Sequence, residues 1–206
     1  TYQSGSLGAT YTGNLSRKQE IFERLRVLAL VGRAADEGCL GRTRLGYATP
    51  VGGPSGLEFE GNLYSSLSLR HGIDAFELGL LSRRGRIVEI GGGHGGLAAM
   101  FMEQNPGGLY IDVDFPQLLV VAKYFIDLSV PNVDCVLALP DQWREGELDL
   151  TSGVVLVPQA ASWIAPPSDI DVVFNSYSFG EMTHREVISY LTFVELVSPR
   201  CLLTEN

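Results

Sequence analysis

With 206 residues, 45% of them hydrophobic, the chain is large enough for one domain with a sizeable core and an N-terminal appendage. A formal net charge of -9 argues against a nucleic-acid backbone as partner, and no apolar run approaches the roughly 18 residues of a membrane span. Cys39, Cys135 and Cys201 form neither a CxxC pair nor a zinc pattern, and an odd number without a secretion signal fits a reducing cytoplasm.

The chain starts at Thr1 rather than Met, which predicts a cut N-terminus. Residues 1–13 are rich in Thr, Ser, Gly and Tyr and predict poor order. Ser16 and Gln19 form a capping box, and Ile21, Phe22, Leu25, Leu28 and Val31 follow at helical spacing, as a stripe for core or interdomain packing. Residues 38–61 are rich in glycine and predict loop, with a GGPSG tip at 52–56 placed to fold over a pocket. Helical spacing returns over 62–81, where Gly72 marks a possible division. Residues 1–81 thus read as an N-terminal helical and glycine-rich region, and 82–206 as a separate ligand-binding domain.

Residues 87–96, IVEIGGGHGG, organise that second part. Residues 87–90 predict a short buried strand, the glycines a sharp turn, and residues 98–102 a helix. Strand, glycine turn and helix make the nucleotide-binding crevice of an open α/β sheet. Glycines let the backbone bend and let a ligand approach without meeting a Cβ, and the helix start offers unpaired N–H groups. Further strands are predicted at 108–114, within 133–159 as one strand plus an insertion or as two, at 171–175 and at 201–203. A helix over 117–128 is apolar on most sides and should be well covered. Another opens at Thr183 with a Thr183/Glu186 capping box and a Met182/Val187 staple, and turns Val187, Leu191 and Val194 inward. Repeated strand–helix units imply a mostly parallel sheet with helices on both faces.

Two patterns overlap in the turn. Gly91, Gly93 and Gly96 satisfy GxGxxG, while Glu89, Gly91, Gly93 and Gly95 satisfy acid-x-G-x-G-x-G. The acid discriminates between them. A buried carboxylate needs a donor, either a ligand amine or a nearby backbone N–H, and it repels a pyrophosphate. Asp114, at the end of the second strand, is placed to accept both ribose hydroxyls, as in nicotinamide, flavin and adenosyl-ligand enzymes. His94 reads as a wall of the pocket. No HxxxH, HExxH or carboxylate triad suggests a metal.

At VEIGGGHGG (88–96), DVDFP (112–116) and FNSYSFGEM (174–182) the sequence resembles the class I S-adenosylmethionine-dependent methyltransferases, and more narrowly the sugar O-methyltransferase family. The resemblance runs from about residue 51 to 206. It implies a Rossmann-like methyltransferase fold and S-adenosyl-L-methionine as cofactor. Glu89 and Gly91, Gly93 and Gly95 would hold its methionine part and Asp114 its ribose. Phe115, Gln159 and Asn175 would border the adenine and the sulfonium, with Asn175 facing the transferred methyl. The acceptor would be a hydroxyl of a sugar or another small molecule. Glu181 and His184, after the fourth strand, are the candidates to handle its proton, and Tyr177 and Ser178 to hydrogen-bond a polyhydroxylated acceptor. The family's sheet has seven strands. This sequence matches only as far as the fifth, at 202–206, so strands six and seven, with their acceptor-side residues, are expected to be missing. The rival readings are an NAD-dependent oxidoreductase with a GxGxxG site and a non-catalytic methyltransferase-like scaffold.

Overall fold

The computed structural model describes residues 10–12, 16–38, 56–59, 62–162 and 168–205. The expectations for residues 1–9 and 13 and for most of the 38–61 loop, including 52–55 of its GGPSG tip, lie outside the described residues. The chain divides into two compact units, residues 1–76 and 77–206.

In the first unit, β1 (Thr10–Thr12), β2 (Gly56–Phe59) and β3 (Asn62–Tyr64) form a small antiparallel sheet in the order β1-β2-β3. Three stretches whose sequence suggests loop, disorder or helix are therefore strands. Their runs are only three or four residues long, too short for a period-2 signal to stand out. Helix α1 (Arg17–Asp36) starts at the expected box: the Gln19 amide donates to Ser16 Oγ, and the Ser16 amide donates to Gln19 Oε1. Its inward face differs from the predicted stripe. Val27 and Ala34 are buried, with Leu30 and Val31 beside them, whereas Ile21, Phe22, Leu25 and Leu28 are exposed. Salt bridges such as Arg24–Glu20 run along the helix, so polar residues interleave with both apolar stripes and period alone cannot choose between them. Helix α2 (Ser66–Leu81) is continuous, and Gly72 does not divide it.

The second unit is a Rossmann-like α/β fold. Its strands are β4 (Arg86–Ile90), β5 (Leu109–Asp114), β6 (Cys135–Leu137), β7 (Gly153–Pro158), β8 (Val172–Ser176) and β9 (Cys201–Glu205). They form one sheet in the order β6-β7-β5-β4-β8-β9, and every pairing is parallel. The uncertain stretch 133–159 thus supplies two strands, with helix α5 (Pro140–Glu145) between them and α6 (Gln159–Ser162) after them. Alternation sorts the side chains. Val88, Ile90, Ile111, Val113, Val155, Val157 and Val173 share one core with Trp143 of α5, Ala161 of α6, and Tyr190, Phe193, Val194 and Val197 of α8 (His184–Val197). The other face lies under α3 (Gly96–Gln104) and α4 (Pro116–Ser129).

Two expectations for these helices fail in detail. In α8 the buried stripe is Tyr190, Phe193, Val194 and Val197, with Leu191 at 42% exposure. In α4 only Leu119, Ala122, Phe125 and Ile126 are buried, while Val120, Val121, Tyr124 and Leu128 face outward. A single sheet face can cover only one side of a helix, however apolar the remainder.

No helix among the described residues is long and apolar enough to cross a membrane.

Candidate active site

The chain leaves β4 at the centre of the sheet, steps out to β5, runs to the edge as β6, comes back between them as β7, and then crosses to the other side of β4 as β8. Strand order reverses between β4 and β8, which opens a crevice at their carboxyl ends. A cleft of about 350 Å³ occupies that place. Gly91 and Gly93 line it from the turn after β4, Asp114 and Phe115 from the end of β5, and Leu118 from α4. Ser176, Tyr177, Ser178, Glu181 and Met182 line it from the end of β8 and from α7 (Ser178–Glu181), and Glu186 from α8.

The turn requires its glycines. Gly91, Gly93 and Gly95 have φ of 79°, 63° and 79°, in the left-handed region that side chains disfavour. A Cβ on Gly91 would sit 2.5 Å from Ser178 Oγ, and one on Gly92 would sit 2.6 Å from the Asp112 carboxyl. At Gly93 a Cβ would meet nothing within 4 Å, because that position faces open space. Gly95 caps α3 and packs on Ile126 and Ala122 of α4, away from the cleft lining.

Carboxylates hold the turn from behind. Asp114 accepts from the Gly93 amide at 2.8 Å and from the Phe115 amide at 2.6 Å, one bond per oxygen. Each oxygen keeps a lone pair for a hydroxyl in the cleft. Asp112 accepts from the Gly92 amide at 3.1 Å, and its other oxygen is buried without a hydrogen-bond partner. Glu89 pairs with Asp112 across the strands and accepts from the Tyr110 hydroxyl at 2.8 Å. Burial pushes the Glu89 carboxyl up to about 7, against the pull of the Tyr110 bond and with help from the Asp114 charge. Burial, then Glu89 and Asp114, raise Asp112 well above the ordinary carboxylate range. Asp114 is raised as well, chiefly by burial.

Within the chain the donor to Glu89 is the Tyr110 phenol and not a backbone amide of the turn, and Glu89 lies behind the turn at 3% exposure, outside the cleft lining. Motif reading misses Tyr110, although strand alternation puts it on the same face as Asp112 and Asp114.

The remaining residues singled out in the sequence are placed as follows. Phe115 lines the cleft at 52% exposure. Gln159 begins α6 and does not line the cleft. His184 is the exposed first residue of α8 and is likewise off the lining, whereas Glu181 is on it. Asn175, expected to face a transferred methyl, has 0% exposure, and its side chain bonds backbone and Ser178. His94 packs edge-on against Phe125 at 4.9 Å and is absent from the lining; burial lowers its basicity. Glu186, a cap by its sequence position, does accept from the Thr183 amide at 2.7 Å, and it also reaches the cleft. Among the described residues no group of three or more His, Cys, Asp or Glu side chains is arranged to hold a metal.

No family model matches the sequence, and no curated protein matches it. Among solved structures the chain is similar to the mitomycin 7-O-methyltransferase MmcR, with a TM-score of 0.41 and 18% identity over 68% of this chain. It is also similar to a protein-L-isoaspartate O-methyltransferase, with a TM-score of 0.37 and 19% identity over 72% of this chain. The chain spans 39% of the length of the first and 47% of the second.

Proposed function

We propose that this protein is an S-adenosylmethionine-dependent O-methyltransferase that acts on a hydroxyl of a sugar or a similar small polyhydroxylated acceptor, with residues 82–206 as its cofactor-binding domain. The observation that carries this reading is the charge of the crevice. Asp114, Glu181 and Glu186 line it, and Glu89 and Asp112 stand behind the turn. A dinucleotide would bring its pyrophosphate to a cleft where Glu181 and Glu186 oppose it and where none of the described lining residues is basic. A sulfonium and an amine suit the same surroundings.

The residues present fit such a cofactor. Gly93 leaves the turn open for its methionine part, since the space beside it is empty to 4 Å. Asp114 has lone pairs for the ribose hydroxyls, and the exposed Phe115 ring beside it suits an adenine face. When bound, S-adenosylmethionine supplies a methyl group on positively charged sulfur. The chain then has to hold the acceptor oxygen in line and take its proton. Alignment contributes much of the rate. Tyr177, Ser176 and Glu181 present an aromatic ring, a hydroxyl and a carboxylate from the opposite wall. Glu181, on the cleft, is better placed than His184 to accept the proton.

Calorimetry tests the cofactor. S-Adenosylhomocysteine should bind and NADH should not; micromolar NADH binding with no S-adenosylhomocysteine signal would overturn the reading. Asp114→Ala should weaken S-adenosylhomocysteine about ten- to a hundredfold, because hydrogen bonds to a charged group contribute roughly 1.5–3 kcal/mol. Unchanged affinity in a folded Asp114→Ala protein would remove Asp114 from the ribose site.

A further inference from the structure

The wall that follows β8 is fastened to the glycine turn. Asn175 Nδ2 donates to the Ile90 carbonyl at 2.8 Å and also to Ser178 Oγ. Ser178 Oγ donates to the same Ile90 carbonyl at 2.9 Å, and the Phe179 amide donates back to Asn175 Oδ1 at 3.2 Å. Ile90 is the last residue of β4, immediately before Gly91. Ser178 occupies the space that a side chain at position 91 would need, with its Oγ 2.5 Å from the ideal Cβ. Polar groups that connect a strand to a short helix could have faced solvent. Here they converge on one carbonyl at the start of the turn.

Between the two fastening residues lies Tyr177. Its φ is 63°, a conformation that a tyrosine holds only when its surroundings enforce it. The restraints are visible: Asn175 and Ser178 on either side, and a bond from its own amide to the Glu205 carbonyl at 2.8 Å. The strained residue is 48% exposed and lines the cleft.

We propose that Asn175 and Ser178 are positioning residues: they latch the acceptor wall, residues 176–182, to the first peptide of the glycine turn, so that whatever occupies the turn and the Tyr177 ring are held in register. Neither side chain needs to touch the reacting atoms. Asn175 has no exposed surface with which to do so. This inference rests on the turn being the cofactor's seat. It gives the Asn-Ser-x-Ser string at 175–178 a physical role: the first and last of those residues close the latch, and Tyr177 between them is aimed by it.

The test is hydrogen exchange of the amides of 177–182 in the whole chain, with and without S-adenosylhomocysteine as probe. In the wild type, binding at the turn should slow exchange in this segment. Ser178→Ala removes two of the bonds and should speed exchange there about tenfold without ligand, the size of one to two net hydrogen bonds. S-Adenosylhomocysteine should still bind Ser178→Ala within a few-fold, but it should no longer protect 177–182. Thr183→Ala is the control. It removes a cap of similar strength outside the latch and should leave ligand-induced protection intact. If Ser178→Ala shows wild-type exchange, or if the ligand protects 177–182 as well in Ser178→Ala as in the wild type, the latch is wrong. If the wild type binds no S-adenosylhomocysteine, the cofactor assignment fails, while faster exchange in ligand-free Ser178→Ala still reports on the fastening itself. Asn175→Asp keeps the acceptor for the Phe179 amide, loses both donated bonds and should behave as Ser178→Ala does; should it fail to fold, Ser178→Ala alone decides.

Discussion

Gly93→Val should eliminate S-adenosylhomocysteine binding and leave the protein folded, whereas Gly91→Ala and Gly92→Ala should lose stability as well as binding. The three neighbours differ in what lies beyond the missing Cβ. At Gly93 nothing stands within 4 Å, so the valine methyls project into the cleft that Gly93 lines. The backbone cost is that of a β-branched residue at φ 63°, about 1–3 kcal/mol, which a domain of ordinary stability survives. At Gly91 even a methyl group meets Ser178 Oγ at 2.5 Å, and that oxygen is held by Asn175 and the Ile90 carbonyl. At Gly92 it meets the Asp112 carboxyl at 2.6 Å, which cannot retreat without giving up the Gly92 amide. Thermal melts paired with calorimetry separate the outcomes. Wild-type affinity in Gly93→Val would place the ligand elsewhere than over this turn.

These differences among adjacent glycines also show where the sequence stops being informative. The turn, the strands on either side of it and the acid at the end of β5 are legible because each rests on local chemistry: runs of β-branched residues, glycines clustered at a bend, a capping box. The Thr183/Glu186 box is present as expected, with the Thr183 amide and hydroxyl both donating to Glu186. What cannot be read depends on contacts distant in the chain. Nothing near Asn175 in sequence announces that its amide meets Ile90, 85 residues earlier. Nothing near Glu89 announces Tyr110 as its donor. The choice between two apolar stripes on α1 and the bare outer side of α4 are of the same kind, because helical period says that a face is apolar and not what covers it.

Stability should fall as pH rises from about 4.5 to about 7, and Glu89→Gln should flatten much of that slope. The Glu89 carboxyl lies near 7 in the folded chain against an ordinary 4.5. Between those values the folded state keeps a proton that the unfolded chain has released. The folded state therefore binds more protons, and its stability declines with rising pH until the group ionises in both states. Asp112 and Asp114 are raised too and pull in the same direction, while His94, whose basicity burial lowers, pulls the other way below its ordinary pKa and reduces the slope. Glutamine keeps an acceptor for the Tyr110 hydroxyl and removes the buried charge beside Asp112. At pH 8 the substitution should stabilise the chain by about 1–3 kcal/mol, since a tenfold change in proton affinity is worth roughly 1.4 kcal/mol and ionisation of the neighbouring acids offsets part of the gain. At pH 4.5 the two proteins should be nearly equal. Ligand binding should move the other way. A cationic amine at the turn favours ionised Glu89, so wild-type affinity for S-adenosylhomocysteine should rise from pH 5 to pH 7 and Glu89→Gln should bind more weakly at pH 8. Denaturant titrations at pH 4.5, 6, 7 and 8 give the first half and calorimetry at the same values the second. Stability that rises with pH across this window would mean that Glu89 is ionised and satisfied in the fold. A Glu89→Gln protein that is more stable yet binds as well as wild type would mean that the acid serves the sheet and not the ligand.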